Sequence, residues 1–122
     1  MDAKEYTFNL QIDNNHFSSI LEESSNLLKY IQPNELAKLK DFIFDILGNK
    51  DGSPEINNLK ISNFIFDNEK NKGSFRLKFD IDRRFCCSDM ESCSNDYIDF
   101  NFKFENGAFN AKGSYFDWTL TN

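Results

Sequence analysis

The sequence predicts an α+β fold with two layers: an antiparallel β-meander with two helices packed on one face, in the order β-α-α-β-β-β-β. Three patterns lead to this prediction. An Asn-Gly pair at Asn106 and Gly107 joins two segments in which apolar and polar residues alternate. Residues 4–12 and 74–85 alternate in the same way, whereas residues 16–47 repeat their apolar positions every three or four residues. The 122 residues suit a single domain with one core.

The hairpin around Asn106 and Gly107 spans residues 95–120 and sets the register of its two strands. Asn-Gly supplies the two positive-φ positions of a type I′ turn, whose twist suits paired strands. On one face this register pairs large side chains with small ones, because Ala111 and Gly113 leave room for the rings opposite them. The predicted pairs are Phe104 with Phe109, Phe102 with Ala111, Phe100 with Gly113, and Ile98 with Tyr115.

Two helices are expected between the first and second strands. The polar residues 13–15 offer side-chain oxygens for an N-cap, and the first helix is predicted over residues 16–31. Its apolar stripe consists of Phe17, Ile20, Leu21, Ser24, Leu28 and Ile31. The second helix is expected from Pro33 to about Leu47, because proline suits the first helical position, with Gly48 as the C-cap.

The remaining strands are predicted from alternation alone. Residues 4–12 form a half-buried strand that adds to an edge of the sheet, and strand two lies within residues 58–67. The apolar positions of strand two change parity, which predicts a β-bulge near Ser62 and the residue after it. Strand three covers residues 74–85, and residues 86–94 are predicted to form a polar loop.

The formal net charge of −6 argues against several classes of function. A nucleic-acid-binding domain needs Lys and Arg to neutralise phosphates, and an anionic membrane surface makes the same demand. We therefore expect neither nucleic acid nor a membrane as a partner, whereas a basic protein suits an acidic chain. The sequence contains no apolar leader and no membrane-spanning run, which predicts a cytoplasmic protein.

Cysteine and histidine are the first candidates for chemistry. Cys86, Cys87 and Cys93 lack the Cys-x₂-Cys spacing of zinc sites, and the single histidine, His16, is far upstream at a helix start. We expect three reduced thiols, no metal and no cofactor. No P-loop, dinucleotide-binding or hydrolase motif occurs, so the sequence favours a binding protein over an enzyme.

The strongest candidate for a binding surface lies near the open end of the hairpin. The stretch from Asp89 to Asp99 holds four carboxylates and no Lys or Arg. The register places Tyr97 opposite Phe116 on the polar face, with Trp118 beyond. These rings either form a second small core or anchor an interface, where Tyr and Trp often dominate the binding energy. The predicted partner-binding residues are Asp89, Glu91, Asp96, Tyr97, Asp99, Phe116 and Trp118.

In size, acidity and composition the whole chain resembles the small immunity proteins of bacterial toxin–immunity systems, including those of contact-dependent growth inhibition. The resemblance is one of overall profile, so it transfers no functional residue. It implies a protein that binds a cognate toxin domain, often a basic nuclease, and blocks its active site.

Two alternatives stay open at this point. A cystatin-like or NTF2-like domain would use a pocket in the Phe-rich face for a small ligand or a reaction, and this requires polar groups on that face. An acidic DNA mimic would need carboxylates spaced like phosphates. The sequence specifies neither the identity of a partner nor the oligomeric state.

Overall fold

The computed structural model, which describes residues 4–47, 50, 52–85 and 90–115, contains one antiparallel sheet in the order β1-β5-β4-β3-β2. Its strands are β1 (Lys4–Gln11), β2 (Glu55–Asp67), β3 (Lys72–Phe85), β4 (Met90–Glu105) and β5 (Ala108–Tyr115). The helices are α1 (Asn14–Glu22), α2 (Leu27–Tyr30) and α3 (Pro33–Ile46), with a 3₁₀ turn at Ser24–Asn26. The predicted α+β fold is confirmed, and β1 takes the predicted edge position, beside β5.

The turn at Asn106 and Gly107 has the predicted geometry, since their φ angles are 53° and 78°. The predicted pairs Phe104 with Phe109, Phe102 with Ala111, and Phe100 with Gly113 are all present. A Cβ atom on Gly113 would lie 2.7 Å from the Phe100 ring, so the small residue is required by the ring opposite. The ladder ends one pair before Ile98 and Tyr115, which are both buried. Residues 116–120 of the predicted hairpin lie outside the described residues.

Phenylalanine rings fill most of the space between the sheet and the helices. Phe17 of α1 stacks on Phe104 of β4 with their centroids 3.9 Å apart. Phe102 lies among four other rings at centroid distances of 4.6 to 6.0 Å: Phe64, Phe66, Phe75 and Phe109. Fully burying one such side chain contributes about 1.5–3 kcal/mol, so this face accounts for most of the stabilisation.

Strand β2 confirms the predicted bulge and adds a second one. Its register with β3 shifts between Ser62 and Ile65, as expected, and also between Asn57 and Lys60. Asn58 and Asn63 take positive φ angles of 55° and 54° at these two places. Each inserted residue switches the parity of the inward side chains, which keeps the apolar residues facing the helices. The inward residues are Ile56, Leu59, Ile61, Phe64 and Phe66.

The prediction of one continuous helix over residues 16–31 is wrong. Glu23 is extended, with φ −141°, so α1 ends and the chain restarts in a new phase. The Asn26 side-chain amide donates to the Ser19 carbonyl at 3.1 Å, and the same carbonyl accepts a hydrogen bond from the Glu23 backbone N–H at 3.0 Å, so the side chain adds a partner at the end of α1. The new phase buries Leu27 instead of Leu28. Leu21, which lies before the break and was predicted to face inward, is 48% exposed.

The predicted N-cap region of the first helix and the predicted start of the second agree with the structure, although α1 begins at Asn14, two residues before the predicted start. Asp13 is the N-cap of α1, where its carboxylate accepts a hydrogen bond from the His16 backbone N–H at 2.8 Å. Pro33 is the first residue of α3, and Leu39, Ile43 and the following Leu47 are buried against the sheet. The predicted C-cap, Gly48, lies outside the described residues.

The predicted loop over residues 86–94 is too long. Residues 86–89 lie outside the described part of the chain, but Met90 already pairs with Phe85, and Cys93 pairs with Asp82. The residues from Met90 to Ser94 therefore belong to β4. Alternation did not reveal this part of the strand because its side chains from Cys93 onward are exposed in succession as far as Asn95.

Candidate functional site

The sheet presents a second face, away from the helices, which we call the open face. It consists of the alternate residues of each strand, whose side chains point to solvent. On β4 these are Asn95, Tyr97, Asp99, Asn101, Lys103 and Glu105. Because neighbouring strands are in fixed register, these side chains form rows across the sheet. Three adjacent rows, taken from β2 to β4, are Ser62, Arg76 and Asp99; Lys60, Lys78 and Tyr97; and Asn57, Asp80 and Asn95.

Tyr97 is the aromatic centre of the open face. Tyr97 is 37% exposed, and the Arg76 guanidinium lies 3.9 Å from the centroid of its ring. Arg76 also donates two hydrogen bonds to Asp99, from Nε at 2.8 Å and from Nη2 at 3.2 Å. The hydrogen bond to Asp99 raises the pKa of Arg76 above its ordinary value. The cation–π contact and the bidentate pair together hold the three side chains as one unit.

Two of the predicted partner-binding residues, Tyr97 and Asp99, thus lie side by side on the open face. Asp96 lies on the opposite face of β4, where its Oδ2 accepts a hydrogen bond of 2.6 Å from the buried Tyr115 hydroxyl. Its Oδ1 accepts from the Tyr97 backbone N–H at 2.8 Å. Asp96 therefore supports the strand from the core side, and the structure separates it from the other two.

The remaining predicted residues are described in part or not at all. The backbone of Glu91 belongs to β4 and pairs with Arg84. Asp89, Phe116 and Trp118 lie outside the described residues, so their place in a binding surface stays a prediction.

Sequence reasoning missed the cations that β2 and β3 bring to this surface. Arg76 and Lys78 stand opposite Asp99 and Tyr97, and Lys60 stands opposite Lys78. The alternation of β3 already placed Arg76 and Lys78 on the polar face. Which residues of β4 lie next to Arg76 and Lys78 could not be predicted, because the sequence contains no turn signal comparable to Asn106 and Gly107 that would set the β3–β4 register.

A shallow groove runs beside Tyr97 on the open face. It has a volume of about 290 Å³ and is lined by side chains from three strands. The residues that line it include Asn58, Lys60, Lys78, Asp80, Asn95 and Tyr97. The groove can hold a side chain of another molecule, and its polar walls favour hydrogen bonds and ion pairs over apolar contact.

Cys93 is exposed, and it lies across from Asp82 near one end of the sheet. Its hydrogen bond to Asp82, together with partial loss of hydration, raises the pKa of the Cys93 thiol. The pKa of Asp82 is lowered by hydrogen bonds from Asn57, at 2.9 Å, and from Cys93. A thiol with a raised pKa is a poor nucleophile, because the thiolate is the reactive form.

The histidine that a cysteine nucleophile would need is not near Cys93. His16 is at the start of α1, close to the 106–107 turn, and about twelve residues of β4, roughly 40 Å, separate that end of the sheet from Cys93. His16 instead forms an exposed contact with Asp13, between Nδ1 and Oδ1 at 3.2 Å. Within the part of the chain that the structure describes, no group of three or more His, Cys, Asp or Glu side chains is arranged to hold a metal ion.

Comparison with known proteins assigns no family to the chain. The sequence matches no family model, and no significant match was found among curated proteins or among solved structures. Among the described residues, no helix is both long and apolar enough to cross a membrane.

Proposed function

We propose that this protein is a bacterial immunity protein, which binds a cognate toxin domain and neutralises it by covering the toxin's active site. The observation that carries the proposal is an exposed aromatic residue, Tyr97, fixed by Arg76 and Asp99 at the centre of a sheet face that no described element covers. The protein itself performs no reaction in this proposal and needs no cofactor.

Tyr97 has the properties of an interface anchor. Three large apolar or aromatic residues are exposed among the described ones: Leu21, Ile65 and Tyr97. Of these, only Tyr97 is stacked against an arginine, and Tyr and Arg are enriched among the residues that dominate binding energy. Because Arg76 and Asp99 already hold each other, ordering these side chains on binding costs little conformational entropy.

The dimensions of the open face suit a protein partner. Five strands spaced about 4.8 Å apart are roughly 24 Å wide, and eight residues of β5 span roughly 26 Å, which gives a projected area of about 600 Å². A stable protein interface buries about 800 Å² on each partner, including the sides of the side chains. One partner domain can therefore cover most of this face.

The overall charge favours a basic toxin, such as a nuclease domain. A net charge of −6 accelerates encounter with a cationic surface. We keep the predicted role of Asp89 and Glu91, whose side chains are not described, as carboxylates at the rim of the interface. They are expected mainly to raise the association rate. Phe116 and Trp118 likewise keep their predicted role as rings beside Tyr97.

Both alternative functions have less support. A small-ligand pocket would need open space over the Phe-rich face, but rings in mutual contact occupy it, as the pair Phe17 and Phe104 illustrates. A DNA mimic would need an uninterrupted array of carboxylates. On the described open face Arg76, Lys78 and Lys60 lie between Asp99 and Asp80, which favours a protein partner of mixed charge.

The first test uses the gene next to the one that encodes this protein. Its product is expressed in bacteria with and without this protein, and growth is measured together with formation of a purified complex. We expect growth arrest without the protein and normal growth with it. A neighbouring product that is harmless, or that is toxic but forms no complex, contradicts the proposal.

The second test asks whether the open face makes the contact. The variant Tyr97→Ala should weaken the toxin complex at least about tenfold, or about 1.4 kcal/mol, chiefly through a faster dissociation rate. Leu21→Ala is the matched control, because Leu21 is also exposed but lies on the helical layer. Equal effects of the two variants would place the toxin elsewhere. The corresponding variant Trp118→Ala is expected to resemble Tyr97→Ala if that ring joins the same surface.

A further inference from the structure

We propose that the groove beside Tyr97 binds a carboxylate of the partner between Lys60 and Lys78, so that the toxin inserts an acidic side chain into an otherwise acidic protein. This inference rests on the proposed function, because the carboxylate belongs to the toxin. The underlying observation is a pair of lysines that the fold places directly opposite each other and that has no counter-charge among the described residues.

The sheet register fixes the position of the pair. Lys60 on β2 and Lys78 on β3 are direct cross-strand partners, and Lys78 is in turn the partner of Tyr97 on β4. Like charges directly opposite each other destabilise a sheet. The bulge between Asn57 and Lys60 creates this alignment, because it ends the regular register just before Lys60. The three residues therefore form one row on the open face.

The other cations of the open face show what is unusual about this pair. Arg76 is paired with Asp99, Lys112 with Glu5 at 3.1 Å, and Lys103 with Glu105 at 3.7 Å. Among the described residues, neither Lys60 nor Lys78 makes an ion pair or a side-chain hydrogen bond. Lys72 likewise makes no ion pair with another described residue, but the lysine opposite it, Lys103, is paired with Glu105.

The acidic residue that lines the same groove does not neutralise the lysines. Asp80 accepts a hydrogen bond of 2.7 Å from the Asn58 side-chain amide, and no ion pair joins it to either lysine in the described part of the chain. The Tyr97 hydroxyl makes no hydrogen bond among the described residues, and so it offers a further donor next to the two ammonium groups.

The acidic residues in and beside the groove determine which kind of anion can bind there. Asp80, and Asp99 in the adjoining row, would repel a polyanion that runs along the sheet, such as a nucleic-acid strand. A single carboxylate carries one charge, and a volume of about 290 Å³ is ample for an Asp or Glu side chain. The surface thus combines overall attraction for a basic toxin with one site of reversed charge, which restricts binding to a partner with a matching acidic residue.

The test uses the isolated, isotope-labelled protein and two blocked peptides, acetyl-Ala-Glu-Ala-amide and acetyl-Ala-Gln-Ala-amide, titrated at low ionic strength and followed by amide chemical shifts. We expect the Glu peptide to cause saturable shifts at Lys60, Lys78 and Tyr97, with the Gln peptide at least about tenfold weaker. Equal shifts from both peptides would overturn the carboxylate site. Tighter binding of inorganic phosphate at the same amides would also overturn it, in favour of a phosphate site.

Matched variants locate the effect. Lys60→Gln and Lys78→Gln should each weaken the Glu peptide severalfold, whereas Lys112→Gln removes a paired lysine from the same face and should leave its affinity unchanged. Equal losses in all three variants would mean diffuse attraction and would contradict the proposal. No toxin is present in this experiment, so a negative result rejects the carboxylate site without affecting the immunity function. Conversely, a positive result survives even if the neighbouring gene product proves harmless.

Discussion

Phe102 and Asn101 are adjacent on β4 and illustrate how differently the two faces of the sheet are built. The Phe102 ring packs among aromatic rings from other strands and from α1, whereas Asn101 points to solvent. On the core face almost every inward residue is apolar, and the volume of each side chain decides whether it fits. On the open face the residues differ in charge from row to row, and the effect of each side chain depends on its neighbour on the adjacent strand. The first face specifies the fold, and the second is available for function.

Among the variants considered, truncation of a core ring is expected to change the stability of the fold most. Phe102→Ala should lower the free energy of unfolding by about 3–5 kcal/mol, because it removes a buried ring and leaves a cavity between β2, β3 and α1. Asn101→Ala, one residue away on the open face, should change it by less than about 0.5 kcal/mol. Chemical denaturation of both variants measures the difference, and similar losses would mean that the open face is covered in solution.

A smaller effect is expected at Asp96, which sequence reasoning placed in the binding surface. Tyr115→Phe removes the donor of the 2.6 Å hydrogen bond and should cost about 1–3 kcal/mol of stability, since the acceptor is charged and partly buried. Asp96→Asn should likewise lower the melting temperature, while the affinity for the proposed toxin partner stays within about twofold of the wild type. A selective loss of affinity at unchanged melting temperature would return Asp96 to the interface.

The parts of the structure that could be predicted depend on spacing within one strand or one turn. The Asn-Gly turn determined which residues of β4 and β5 face each other, and the alternation in β3 identified Phe75, Leu77, Phe79 and Ile81 as inward. The predicted bulge near Ser62 followed from a change of parity. In each case the two-residue alternation of side chains along a strand is enough to make the prediction.

The parts that could not be predicted depend on hydrogen bonds from side chains to the backbone, or on the register between segments that are distant in the sequence. At the break at Glu23, the Asn26 side chain donates a hydrogen bond to the Ser19 carbonyl in the last turn of α1, a contact that periodicity alone does not detect. The candidate site needs Arg76 opposite Asp99 and Lys60 opposite Lys78. The sequence contains no signal for the first register, and the second depends on a bulge that was not predicted. The open face was therefore harder to predict than the core.

At the border of the core face, Tyr6 predicts a pH dependence. Its hydroxyl donates to the Glu35 carboxylate of α3, and burial, this hydrogen bond and the charge of Glu35 all raise the pKa of Tyr6. The folded protein thus holds the phenolic proton more tightly than the unfolded chain does. The contribution to stability is complete below the unfolded pKa of about 10 and is lost as the pH rises through the higher folded value.

We therefore expect Tyr6→Phe to cost about 1 kcal/mol at neutral pH, an effect that shrinks as the pH is raised above about 10. Urea denaturation of both proteins at matched pH values measures this, and the comparison cancels the titration of other groups. A difference that stays constant up to the alkaline limit would show that the Tyr6 hydroxyl does not interact with Glu35 in solution.

The smallest effect is expected for the lysine pair, and its sign is the informative part. Lys60→Gln removes repulsion from Lys78 and should stabilise the fold by about 0.2–1 kcal/mol, whereas Lys112→Gln removes attraction to Glu5 and should cost up to about 0.5 kcal/mol. Both changes should diminish at high ionic strength, because exposed charges are screened. A residue that destabilises the free protein but is needed for a ligand is expected at a binding site, where function opposes stability. If Lys60→Gln instead destabilises the fold, the lysine has a counter-charge in solution, and the proposed carboxylate site next to Tyr97 does not exist.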